Sequence, residues 1–154
     1  MTYPEFSNDL YEVYKSEVMG EALFTTAAFL SWNRLRKEKW IALAKLETQT
    51  KERYLAHVKT HQPYPYPSRL TGFAFGLLLA ALPWRTSMRL LDEGTQPLIK
   101  VFSRLLESST ESSKAFFHYV AAHELAIAGF AQRELAGEPD SLAPVRALLP
   151  PIAA

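Results

Sequence analysis

A chain of 154 residues is long enough to bury one real core, and with 48% apolar and 21% charged residues it has globular rather than disordered composition. Its formal net charge is +1 and no stripe of Lys and Arg is present, so a nucleic-acid partner has no electrostatic footprint. Without cysteine there are no disulfides, thiolate metal sites or cysteine nucleophiles.

The N-terminus, Met1 to Asn8, is polar and unlike a signal peptide, and a cytoplasmic protein is expected. Turn signals divide the chain into four helical blocks of a single domain, 1–154. The first helix is expected over about 8–32, with Ser7, Asn8 and Asp9 as candidate N-caps. After a short polar connection the second runs over about 37–60. His61-Gln62-Pro63-Tyr64-Pro65-Tyr66-Pro67 then forbids a helix and suits an extended crossover along a bundle.

The third block, about 69–106, is expected to break at Pro83 and again near Gly94-Thr95-Gln96-Pro97. Its apolar run from Leu77 to Trp84, with an approach from Leu70, is shorter than the ~20 residues that span a bilayer. No transmembrane segment is expected, while a peripheral membrane contact through this run stays open. The fourth helix is expected over about 113–136, capped by Ser112 or Ser113 and stopped by Gly137. A short tail follows, with one turn around Leu142 to Leu148.

The acids carry the functional signal. In the first helix Leu10, Tyr14, Glu17, Glu21, Phe24 and Ala28 recur at spacings of three and four, which sets two glutamates on the apolar stripe. Trp40, Leu43, Glu47, Thr50 and Tyr54 form the same row in the second helix. Phe117, Val120, Glu124, Ile127 and Ala131 do so in the fourth, with His123 on the flank. Glu93 lies beside the Leu90-Leu91 pair in the third. A buried lone carboxylate is costly unless paired, protonated or bound to metal. Carboxylates converging from several helices are how bundles hold dinuclear iron or manganese. The plain alternative for any one glutamate is an ion pair with Arg or Lys, or a place at the bundle rim. His57, His61 and His118 show no ligand spacing, and Trp32, Trp40, Phe116, Phe117 and Tyr119 are most simply core. No phosphate loop or nucleophile elbow is present.

This pattern resembles the ferritin-like superfamily of carboxylate-bridged dimetal bundles. Glu17, Gly20 and Phe24 match the first-helix spacing of glutamate, small residue and aromatic, and Gly20-Glu21 offers a second alignment. The stretch from Leu70 to Gly76 and on to Leu90-Leu91-Asp92-Glu93 is similar to the third-helix region of ubiquinone-biosynthesis hydroxylases. Leu43 to Thr50 resembles the Glu-x-x-His helix with Thr50 in place of histidine, and His123-Glu124 resembles the last ligand helix with Ile127 in place of the other. The resemblance implies a ferritin-like four-helix bundle with a long Pro-rich crossover between helices 2 and 3. It further implies an iron or manganese oxidoreductase with Glu17, Glu21, Glu47, Glu93, His123 and Glu124 as metal ligands. The missing histidines define a second hypothesis: a metal-free bundle that is an interaction or dimerisation module, pairing as a homodimer through aromatic surface such as Trp32, Trp40 and Trp84.

Overall fold

The computed structural model describes residues 3–58 and 67–150. All regular structure among them is helical: α1 (Tyr3–Leu30), α2 (Arg34–Val58), α3 (Leu70–Ala81), α4 (Trp84–Glu107), α5 (Glu111–Ala136) and the short α6 (Ala143–Arg146). None of these helices is long and apolar enough to cross a membrane. The Pro-rich stretch expected as a crossover lies outside the described residues, apart from Pro67.

α1 begins ahead of the expected caps, so Ser7, Asn8 and Asp9 are already helical. Pro4 in its first turn is compatible with this, because an N–H there has no helical acceptor to lose. The turn into α2 is capped by Asn33, whose Oδ1 accepts the Arg36 N–H at 3.0 Å. Leu82 is extended (φ −79°, ψ 158°), the conformation favoured before Pro83, and separates α3 from α4. α5 ends at Gly137, left-handed at φ 72°, with the Glu138 N–H closing on the Arg133 carbonyl at 3.0 Å.

The second expected break does not occur. α4 continues through Gly94 and Pro97. Pro97 lies on the exposed face, where water can serve the carbonyl that loses its donor. On the opposite face Met88, Leu91, Thr95, Phe102 and Leu105 are buried, with half-buried Leu98 between them, and that packing, chiefly on α5, outweighs the local penalty.

α1 pairs with α2 and α4 with α5, each as an antiparallel hairpin. Lys39 of α2 reaches Glu134 near the end of α5, while Gln49, further along α2, reaches Tyr119 near its start; α2 and α5 are therefore antiparallel too. α3 runs alongside α1, with Gly72 against Met19 and Gly76 against Leu23, so the chain returns along the bundle before α4 begins. A Cβ on either glycine would stand 2.4 to 2.5 Å from the backbone oxygen of Met19 or Leu23, a spacing that only glycine permits.

The core consists of two apolar clusters. One holds Phe24, Trp40, Leu43, Met88, Ile127 and Phe130; the other holds Val13, Tyr14, Tyr54, Phe102, Leu105 and Phe117. Trp40 packs edge-on against Trp84 at 5.2 Å, which places it in the core; of the three tryptophans, Trp32 alone is fully exposed.

Candidate metal centre

Between the two apolar clusters lies a polar layer. On α1 Glu17 falls between Tyr14 and Phe24, on α2 Glu47 falls between Leu43 and Tyr54, and on α5 His123 and Glu124 fall between Val120 and Ile127. The 3.6-residue period that buries the apolar neighbours buries these side chains with them. Glu17 and His123 are fully buried, and Glu47 and Glu124 nearly so.

The geometry is convergent. His123 Nε2 lies 3.1 Å from Glu47 Oε2 and 3.4 Å from Glu17 Oε2. One ligand atom from each of Glu17, Glu47 and His123 falls within 4.8 Å of the others. Glu124 stands on the other edge of the imidazole, its Oε2 3.9 Å from Nδ1. Glu47 accepts a hydrogen bond from His123 Nε2, whereas both oxygens of Glu17 and the His123 Nδ1 have no hydrogen-bond partner. Buried polar atoms without partners are rare, and three in one place call for a missing partner.

Desolvation dominates the electrostatics. Burial raises the Glu17 pKa well above the usual carboxylate value, and the charges of Glu47 and Glu124 add to it. Burial also raises Glu124, to about 8, with His123 pulling it down and Glu47 pushing it up. For His123 burial opposes the charge, but Glu47 and Glu124 together raise its pKa. The layer therefore holds protons in the place where a cation would compensate the carboxylates.

The backbone makes room for the layer. Gly20, one turn beyond Glu17, is where the Glu47 carboxyl rests: a Cβ there would stand 2.4 Å from Oε1. The position matching the first missing histidine, Thr50, is buried with its hydroxyl bonded to the Leu46 carbonyl and the Tyr119 hydroxyl. The position matching the second, Ile127, is an apolar wall packed into the core.

Two of the six candidate ligands stand elsewhere. Glu21 pairs with Lys51 Nζ at 2.7 Å and accepts from Thr48 Oγ1 at 2.7 Å. These partners outweigh its partial burial and lower its pKa. Glu93 is exposed, because two residues past buried Leu91 the helix has turned by about 200°. The Glu17, Glu47 and His123 set is instead flanked on the α4 side by Leu91 and Thr95, lining a cavity that reaches Glu47 and Glu124. An apolar helix with no polar face, α3, was the trace of that cavity in the sequence.

Comparison with family models, with curated proteins and with solved structures finds no match.

Proposed function

We propose that the protein is a ferritin-like metal-binding bundle in which Glu17, Glu47 and His123 hold a divalent ion, iron or manganese, as the centre of an oxidoreductase. The observation that carries this is the convergence of two buried carboxylates and a histidine from three helices, with both Glu17 oxygens and His123 Nδ1 unpartnered. The hairpin order and the return of the chain beside α1 support the ferritin-like reading.

Hard carboxylate oxygens with one imidazole nitrogen suit these metals. Bound there, such an ion supplies Lewis acidity and redox chemistry in a site screened from water. The residues have separable roles. Glu17 and Glu47 would supply the negative charge that balances the ion. His123 would offer Nε2, which must first give up its proton, while Glu124 lies 3.9 Å from Nδ1 on the far edge of the ring, close enough to favour a proton on that nitrogen.

Elemental analysis of protein purified without chelator tests the proposal, with E17Q and E47Q alongside. Near-stoichiometric iron or manganese in the wild type, lost in both variants while helicity holds, is expected. A folded wild type that takes up neither metal on reconstitution sinks the reading.

A second reading, a metal-free dimerisation module, is favoured by one observation: Phe29, Trp32 and Leu35 are all exposed at the α1–α2 turn. It requires self-association, measured by sedimentation, that Trp32→Ser abolishes while metal content stays at zero.

A further inference from the structure

The cluster opens on one side into a cavity of about 350 Å³ between α1, α3 and α4. Chain architecture creates this space. Gly72 and Gly76 clamp α3 onto the backbone of α1, while the Leu82-Pro83 break turns α4 away, so α3 hardly packs on α4. The walls are apolar, with Leu23, Phe24, Leu79, Leu91 and Ile127 among them, and the cavity extends to Glu47 and Glu124.

The polar atoms of this cleft are of one kind. Among the described lining residues there is no Lys, Arg or His. Ser16 and Thr95 line it, but their hydroxyl protons are given to the carbonyls of Val13 and Asp92, each at 2.7 Å. The remaining polar groups are the carboxyls of Glu47 and Glu124. An anionic head group entering here would leave water for apolar walls with no basic side chain among the described lining residues, an unfavourable exchange. An uncharged donor such as a hydroxyl would find acceptors. The volume is roughly twice the ~150 Å³ cavity that takes up benzene, and falls within the ~300–1,000 Å³ range of small-molecule sites.

We infer that the cleft binds an uncharged, largely apolar small molecule of the long-chain alcohol type, its hydroxyl end turned toward Glu47 and Glu124. This deepens the metal-centre reading and rests on it for the cleft's role beside a reactive ion, while shape and charge of the cleft itself carry the binding. Fluorescence of the neutral probe N-phenyl-1-naphthylamine tests it, with 1-decanol and decanoate as competitors and metal content measured on the same samples. Saturable probe binding is expected, reversed by 1-decanol at about tenfold lower concentration than by decanoate. Leu78→Trp, at the half-exposed rim, and Leu98→Trp should each weaken the probe by about tenfold with helicity unchanged. The inference is overturned by absence of saturable binding, by decanoate competing as well as decanol, or by unaltered probe affinity in the folded Trp variants. Probe binding with decanol preference in a protein that holds no metal supports the cleft and sinks the metal reading. Metal without probe binding sinks the cleft alone.

Discussion

Gly20 is where the site can be disturbed with least chemistry. Gly20→Ala adds one methyl group, at a point 2.4 Å from Glu47 Oε1 and 2.6 Å from Glu47 Cδ. Contacts that short do not persist, and the carboxyl, at the end of a flexible side chain, is what must move. Moving it breaks the 3.1 Å contact with His123, a hydrogen bond to a charged group worth about 1.5–3 kcal/mol. Against this stands a gain of about 1 kcal/mol from replacing a mid-helix glycine by alanine. The metal-free variant should therefore lose about 0.5–2 kcal/mol of stability. The comparison is Gly94→Ala: that glycine is also inside a helix, but its Cβ would meet nothing within 4 Å. Only the propensity gain applies there, so Gly94→Ala should be more stable by up to about 1 kcal/mol.

Urea unfolding in chelator measures both stabilities. Titration with iron(II) or manganese(II) against a competing chelator measures affinity, which should fall by at least about tenfold in Gly20→Ala, as for lost ligand positioning, and not in Gly94→Ala. If Gly20→Ala gains stability as Gly94→Ala does and keeps its metal affinity, the Glu47 carboxyl is not held against Gly20, and the geometry of the site is wrong.

Three further outcomes follow from the same contacts. Glu17, Glu124 and His123 all have raised pKa values; each binds a proton that the unfolded chain has released, so metal-free stability should fall as pH rises from about 5 to 8. The lowered values of Glu21 and Glu134 act in the opposite sense, costing stability as pH drops below their ordinary 4.5, so urea midpoints should peak at about pH 5; a profile flat or rising from there to pH 8 refutes the protonated layer. Glu134 accepts from Lys39, Trp84 Nε1 and Ser141, so Glu134→Gln should cost about 1–3 kcal/mol in urea unfolding, while exposed Glu93→Gln should change stability by no more than about 0.5 kcal/mol and leave metal content intact. Glu17→Met removes a buried, unpartnered carboxyl, so calorimetry without metal should show a gain of about 1–3 kcal/mol together with loss of metal uptake; a metal-free protein destabilised by this change would show that the carboxyl is satisfied after all.

Periodicity reached the site as far as one helix at a time allows. It set Glu17, Glu47 and Glu124 on buried stripes, and the structure buries all three. Glu21 shares the phase of Glu17 in the sequence, yet which of the two turns inward depends on α2, where Gly20 admits the Glu47 carboxyl and Lys51 draws Glu21 aside. No pattern within α1 contains that information. Glu93 failed for a different reason: Pro97 suggested a broken helix with undefined phase, whereas packing on α5 keeps α4 continuous and fixes Glu93 on the outside. His123, placed at the flank of its stripe, proves fully buried, because contacts from both α1 and α2 widen the buried face of α5 at that level.

The position of the layer bears on why such costly residues sit there. A bundle selected for stability alone would join its two apolar clusters through Leu or Ile at these positions. Instead, the chain buries two carboxylates next to a histidine, opens a glycine for one of them, and leaves three polar atoms without partners. Folding supplies no return for that arrangement, since each unpartnered atom lowers the stability of the empty bundle. A cation at the point where Glu17, Glu47 and His123 meet would satisfy the Glu17 oxygens and relieve the carboxylate repulsion; it would also free His123 to direct Nδ1–H toward Glu124.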